Sequence, residues 1–225
     1  MNKLIITFIS DLHSKWNRIT SYLPGGDLII CAGDMTTQGH KHEIENFCKW
    51  FSTLPYKYKI FIAGNHDKGF QDYPDQVKEI LNKYPIIYLE DSFTIIEGIK
   101  IYGTPWTPEF RNWAFNLPRN GEVMQGKWDL IPVDTDILIT HGPVFGILDK
   151  KLGSPETIGC ETLLDKINQI KPKIHVCGHI HSGYGFVDTG DIYHFNAAVL
   201  DDHHVFNHKI MTIEWSKETN EIIFI

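Results

Sequence analysis

Short apolar runs, each closing on a small polar cluster, recur along the chain. Leu4-Ile5-Ile6-Thr7-Phe8-Ile9 leads into Asp11-Leu12-His13, Leu28-Ile29-Ile30-Cys31 into Gly33-Asp34, and Lys59-Ile60-Phe61-Ile62 into Gly64-Asn65-His66-Asp67. Further on, Ile137-Leu138-Ile139 precedes His141, and Ile174-His175-Val176-Cys177 precedes Gly178-His179-Ile180-His181. Continuous apolar runs of this length predict strands buried on both faces. Polar residues just past the carboxyl ends of such strands converge in the crevice where open α/β sheets bind ligands. Gly-Asp and Gly-Asn are also common turn formers, so one motif alone says little; the five together predict a site.

The remaining pattern fills in the elements. Residues 1–65 read strand, helix, strand, helix, strand, with helices over 16–23 and 42–54. The second sets Ile44, Phe47, Cys48 and Phe51 at helical spacing. A third helix spans 74–84, and Pro85 ends it. Strands are predicted around 86–88, 93–96 and 99–102, with Gly98 at a hairpin turn. A strand at 137–139, a helix at 161–169 and a strand at 174–177 follow, then strands near 184–187, 192–196, 211–214 and 222–225. Residues 104–130 hold no sustained period and are predicted to be a long irregular insert, which in a compact domain is usually functional. Its many aromatic residues argue against disorder. No linker divides the chain, so 1–225 is expected to be one domain.

Composition narrows the class. Hydrophobic residues at 42% and charged residues at 22% are ordinary for a globular protein. The apolar run after Met1-Asn2-Lys3 is too short for a secretory leader and reads better as a first core strand. No stretch approaches the ~20 apolar residues of a membrane span. Cys31, Cys48, Cys160 and Cys177 show no C-x-x-C spacing, which points to reduced thiols and a cytoplasmic location. A net charge of −7 argues against a broad grip on duplex nucleic acid, which needs clustered Lys and Arg. Bound dications would make a site locally positive whatever the overall sign, so a small phosphorylated substrate is the expected partner.

The five clusters supply two carboxylates, an amide oxygen and four imidazoles as ligands, with one histidine to spare, which suits a two-metal hydrolytic site. In extended backbone, residues two apart point to one side, so Asp11 with His13, and His179 with His181, are expected to share a face. A mixed N/O set without thiolate suits Mn, Fe, Zn, Ni or Co better than Ca.

In this order the clusters resemble the calcineurin-like metallophosphoesterases, whose pattern is D-x-H, GD, GNH(D/E), a lone H and GHxH. The resemblance runs from about residue 4 to 196. Gly103-Thr104-Pro105-Trp106-Thr107-Pro108-Glu109-Phe110, Thr140-His141-Gly142-Pro143 and Gly178-His179-Ile180-His181-Ser182-Gly183-Tyr184-Gly185 look like the small metallophosphoesterase-domain proteins of animals and their microbial relatives. The resemblance implies an α/β (α+β) fold, a four-layer β-sandwich flanked by helices. It implies two divalent transition-metal ions, Mn foremost, with Asp34 as the shared bridge. Asp11, His13 and His181 would complete one metal; Asn65, His141 and His179 the other. His66 resembles the family's proton donor to the leaving oxygen, with Asp67 orienting it.

Trp106, Phe110, Arg111 and Trp113 are candidates for substrate contact, by stacking and by pairing with phosphate. Alternatively, Trp106 and Phe110 pin the insert to the domain. His175 is expected to be a packed core residue, His203, His204 and His208 loop residues, and His40 and His42 surface residues. Asn196 is a candidate for orienting a site histidine.

The expected function is a metal-dependent phosphodiesterase acting on small or cyclic nucleotides through a metal-bridging hydroxide. Relatives of this fold also cleave monoesters, phosphoproteins and nucleic acids, so a phosphomonoesterase or nuclease is the alternative. A non-catalytic nucleotide-binding scaffold is a further one. Some animal relatives carry Gly at the first His of GHxH; here His179 is present, which favours an enzyme.

Overall fold

The computed structural model describes residues 3–225; the Met1-Asn2 start of the weak leader-like pattern lies outside the described residues. One sheet contains β1 (Lys3–Ile9), β2 (Gly26–Cys31), β3 (Tyr56–Phe61) and β4 (Ile87–Tyr88) as parallel neighbours. A second contains β5 (Ser92–Ile96), β6 (Ile99–Thr104), β9 (Ile137–Thr140), β10 (Ile174–Cys177), β11 (Gly185–Asp188) and β12 (Tyr193–Asn196), with β6, β9, β10 and β12 parallel. The C-terminal strands β13 (Met211–Ser216) and β14 (Ile222–Phe224) return to the first sheet, where β13 pairs antiparallel with β1. The strand orders are β14-β13-β1-β2-β3-β4 and β11-β12-β10-β9-β6-β5. A small pair, β7 (Thr107–Pro108) and β8 (Asn116–Leu117), lies in the insert.

Alternation along the strands produces the layers. Leu4, Ile6 and Phe8 of β1 face inward with Leu28, Ile30 and Ile60 to meet Ile101, Ile137, Ile139, Ile174, Val176 and Phe195 of the other sheet. The opposite faces carry Ile9, Ile29 and Phe61, which pack under α1 (Lys41–Thr53), α2 (Gly69–Asp72) and α3 (Pro74–Leu81). On the far side, Tyr102 and Leu138 pack under α4 (Glu122–Asp129) and α5 (Glu161–Ile170). The result is helices, sheet, sheet, helices. Both sheet interiors and their helix-covered faces exclude water, which accounts for the unbroken apolar runs.

Two expectations need correcting. Residues 16–23 form two 3-10 turns, Trp16–Arg18 and Thr20–Tyr22, rather than an α-helix. Trp16 and Ile19 are buried and three residues apart, a spacing that a 3-10 turn satisfies as well as an α-helix. The insert is less irregular than its sequence: α4 buries Met124 and Trp128 on one face beneath β6 and α5, its short apolar stripe masked by the aromatic residues around it.

The parallel strands end on the same side, and there the sheets are stitched together. Ser10, just past β1, bridges Ala198, just past β12, and Val199 N–H donates to the Ser10 carbonyl at 3.1 Å. No helix among the described residues is long and apolar enough to cross a membrane.

Candidate metal centre

The loops leaving β1, β2 and β3 carry Asp11 and His13, Asp34, and Asn65 and His66; those leaving β9 and β10 carry His141, and His179 and His181. Asp11, His13 and His181 bring ligand atoms within 4.8 Å of one another, and so do Asp34, His141 and His179. Asp34 stands between the sets: Oδ1 is 3.4 Å from His141 Nε2, and Oδ2 is 3.9 Å from His13 Nε2. Asn65 Oδ1 joins the second set, 3.0 Å from His141 Nε2. His66, with His13 and Asp34, forms a third such triplet, so its ring borders the cluster as well.

The i, i+2 spacing works through a different geometry from that expected. Asp11 (φ 57°), His13 (φ 42°), Asp34 (φ 52°) and His179 (φ 66°) all adopt left-handed backbone. The chain therefore turns sharply at each strand end instead of continuing extended. For a residue with a Cβ such a conformation costs roughly 1–2 kcal/mol, and strain of this kind gathers at functional sites. Backbone bonds hold the turns: Asp11 N–H donates to Gly33 O and His13 N–H to Asp34 O, each at 3.0 Å. Two motif glycines make room. A Cβ on Gly64 would overlap Asp34 Oδ1, and one on Gly178 would overlap Ser10 Oγ and Asp11 Oδ2.

Carbonyl oxygens orient two of the rings. His141 Nδ1 donates to Ala32 O at 2.8 Å and His181 Nδ1 to Asp201 O at 2.8 Å, so each turns Nε2 into the centre. A backbone partner on one ring nitrogen fixes the other as ligand, a common outer-shell device at metal sites. Asn196 acts through the backbone: its Nδ2 donates to Ile180 O at 2.9 Å and pins the Gly178–His181 loop without touching an imidazole. His13 Nδ1 is buried without a partner.

Charge balance in the protein alone follows from these contacts. Burial raises the Asp34 carboxyl, yet the His141, His66 and His13 rings around it hold it well below the usual range. Asp11 is likewise lowered, against burial, by His181 and His141. Their partners move the other way: despite burial, His141 is lifted to about 9 by Asp34, and His181 to about 9 by Asp11. Burial drives His13 and His179 down to about 4. Two anionic carboxylates among imidazoles, with an amide oxygen and no thiolate, form a donor set that fits divalent transition metals.

His66 lies at the rim, its Nδ1 2.9 Å from the Thr37 carbonyl and its ring against Trp113, centroids 4.1 Å apart. Lys68 Nζ lies 4.4 Å from the Trp113 centroid on the ring face. Asp67 does not orient this imidazole. It is fully buried, and its oxygens accept from Gly64 N–H (2.8 Å), Met35 N–H (3.3 Å), Thr36 N–H (2.9 Å) and Thr36 Oγ1 (2.6 Å). Burial and the nearby Asp34 charge push its carboxyl up to about 7. Asp67 therefore ties the loop after β3 to the loop after β2. Sequence reasoning missed the Thr37 carbonyl, because a backbone acceptor leaves no residue signature.

The insert residues divide. Trp113, Phe110 and Arg111 line the cavity over the centre, about 300 Å³ in volume, together with His66 and His204. Trp106 does not line it. Its Nε1 donates to both Asp91 oxygens at 3.0 Å, and Lys127 Nζ sits 4.2 Å from its ring centroid, so Trp106 pins the insert. His175 is packed as expected, between Thr140 and His194. His40 and His42 stack on each other, and His208 stacks on Tyr184. His204 alone of the late histidines reaches the centre, its ring centroid 4.6 Å from that of His13 and 5.1 Å from that of His181.

Known proteins resemble this chain in sequence and in fold. The family described as Calcineurin-like phosphoesterase matches residues 4–183. Metallophosphoesterase domain-containing protein 1 of Homo sapiens is 41% identical over 213 residues, covering 85% of this chain and 64% of its own length. A UPF0046 protein of Caenorhabditis elegans is 37% identical over 210 residues, 81% of this chain and 52% of its own. The chain thus spans between half and two thirds of these relatives. Among solved structures, TT1561 of Thermus thermophilus superposes with a TM-score of 0.66 at 14% identity, covering 100% of this chain and 99% of that one. Phosphopantetheinyl Hydrolase of Mycobacterium tuberculosis superposes at 0.63 with 15% identity, covering 88% and 90%. The fold is theirs, the strand-end clusters occur in the family's order, and the sequence match extends over most of the chain: it belongs to the calcineurin-like phosphoesterase family.

Proposed function

We propose that the protein is a dinuclear metal-dependent phosphodiesterase acting on small or cyclic nucleotides. The observation that carries the reading is Asp34, a buried anionic carboxylate that turns one oxygen toward each set of ligands. Asp11, His13 and His181 would hold one ion, and Asn65, His141 and His179 the other. Two bound dications supply Lewis-acid polarisation of the phosphoryl group and an acidified water as nucleophile.

The chain's own groups do the rest. His66 acts as the acid that gives a proton from Nε2 to the leaving oxygen, while the Thr37 carbonyl accepts from Nδ1–H and holds the ring in place. Trp113 limits tilting of that ring and excludes water from one face. Arg111, at the mouth of the cavity, neutralises phosphoryl charge. The net charge of −7 supports a small substrate over a long polyanion.

The test is hydrolysis with added Mn²⁺ across an aryl phosphodiester, its monoester, 2′,3′- and 3′,5′-cyclic nucleotides and single-stranded DNA, beside Asp34→Asn and His66→Ala. Cyclic-nucleotide turnover abolished by both substitutions supports the proposal. Turnover of the monoester or DNA alone overturns it.

A further inference from the structure

A second cavity, about 280 Å³ in volume, opens beside the metal centre. Phe110, Ile158 and Ile180 give it apolar walls, and Lys151 and Asp202 add one charge of each sign. It shares His179, His181, His204 and Phe110 with the cavity over the centre, so the two adjoin. His66, Trp113 and Arg111 border only the cavity over the centre.

We infer that this side cavity is the subsite for the organic group that stays on phosphorus when a diester is cleaved, and that it takes a flat, uncharged ring. The inference rests on the phosphodiesterase reading and adds the substituent it selects.

Three observations carry it. The leaving oxygen must lie within reach of its proton donor, and His66 borders only the cavity over the centre. Substituents that remain on phosphorus project away from that oxygen, and the side cavity is the space open to them past His179 and His204. Second, the volume lies just under the ~300–1,000 Å³ of pockets that enclose a drug-sized ligand, which leaves room for one ring system. Third, Lys151 and Asp202 add one charge of each sign and so form no anion subsite of their own, whereas an apolar ring can lie against Phe110, Ile158 and Ile180.

The test separates subsite from activity. Binding to the Mn²⁺-loaded protein is measured by calorimetry for phenylphosphonate and methylphosphonate, whose groups are joined to phosphorus by a bond that hydrolysis does not break. Phenylphosphonate is expected to bind at least tenfold more tightly, the scale of discrimination an apolar pocket gives. Ile158→Trp, which fills the cavity, should bring that ratio near one. Phe110→Ala, at an exposed position that leaves the fold undisturbed, should cut it about threefold. In parallel, kcat/KM is compared for bis(4-nitrophenyl) phosphate and methyl 4-nitrophenyl phosphate, which share a leaving group and differ only in the retained one. The same ratio and the same losses are expected. Equal binding of the two phosphonates, or a preference that survives both substitutions, overturns the subsite. A binding preference that both substitutions remove, with no turnover of either diester, keeps the subsite and overturns the phosphodiesterase reading instead.

Discussion

Glu43 touches neither ligand cluster, yet its loss should slow the chemistry. Its Oε1 accepts from Ser14 Oγ (2.8 Å) and Thr37 N–H (3.0 Å), and its Oε2 from Gln38 N–H (3.2 Å) and His40 N–H (3.0 Å). These bonds close the capping box of α1 and fold residues 37–40 over one carboxylate, whose pKa the same bonds lower against burial. The Thr37 carbonyl that this loop presents is the partner of His66 Nδ1. Bonds to a charged acceptor contribute ~1.5–3 kcal/mol each when buried; at this half-exposed site a total of about 2–3 kcal/mol is expected. For a chain of this size that lowers Tm by roughly 4–12 °C. A positioned imidazole contributes ~10²–10⁴-fold, and a misplacement of ~1 Å removes ~10²-fold. Glu43→Ala should therefore reduce kcat about 10- to 100-fold for a phenyl ester, whose phenolate leaves poorly (pKa about 10, like Tyr). For a 4-nitrophenyl ester, which needs little protonation, the loss should stay within about threefold. Glu43→Gln keeps an acceptor oxygen and should fall between. The assay is a steady-state comparison of both esters in metal-saturated protein at a temperature well below either Tm. Equal losses for the two esters, or none for either, would refute the link from Glu43 through Thr37 to His66.

Other outcomes follow from the packing. Gly178→Ala forces a Cβ onto Ser10 Oγ and Asp11 Oδ2, so it should lower bound metal from two ions toward one by elemental analysis; an unchanged stoichiometry contradicts the close approach. His175 and His194 meet Nδ1 to Nδ1 at 3.1 Å, and since Thr140 Oγ1 donates to Gly142 O, His175 Nε2 donates to Thr140 and its Nδ1 must accept. Burial depresses both rings, His194 to about 4. Each is neutral when folded and takes up a proton on unfolding, so its contribution is complete above about pH 6.5 and fades as pH falls toward 4. Denaturant titrations should show His194 costing about 2 kcal/mol between pH 7.5 and 5, a loss that His194→Gln removes and that would be the same in both proteins if the pair were solvated. Stripping metal with a chelator should lower Tm by roughly 5–10 °C for each ion lost, relative to protein at 100-fold the dissociation constant of Mn²⁺ (about 2.7 kcal/mol per site); Asp34→Asn should abolish most of that difference, and a shift that persists would place the metal elsewhere.

How much of this was legible depended on where the information resides. Strand ends were readable because a strand buried on both faces must be apolar throughout, so Asp11, Asp34, Asn65, His141 and His179 stand out where burial stops. Side-chain donors carry their chemistry in their letters. The Thr37, Ala32 and Asp201 carbonyls do not, since every residue has one, and it is these that aim His66, His141 and His181. Asp67 misled for a related reason. Its place beside His66 suggested a partner, but the chain turns at Gly64, and the carboxylate is consumed by backbone N–H groups. Trp106 and Trp113 are chemically alike in the sequence; only Asp91, brought in from the β5 edge, separates the pin from the site wall. The left-handed turns at Asp11 and His179 were invisible because no glycine marks them.

The two sheets divide the ligands unequally along the chain. Asp11, His13, Asp34 and Asn65 come from the first sheet, His141, His179 and His181 from the second, while β13 crosses back to pair with β1. Any cut in the chain between β4 and β5 would leave two fragments that are each chemically incomplete: an amino-terminal piece missing its central neighbour β13, and a carboxyl-terminal piece holding only imidazoles. Neither could assemble the centre, yet together they would restore sheet and coordination in a single event. Metal uptake would then count reunited molecules, making this protein a natural candidate for fragment complementation read out by a bound ion.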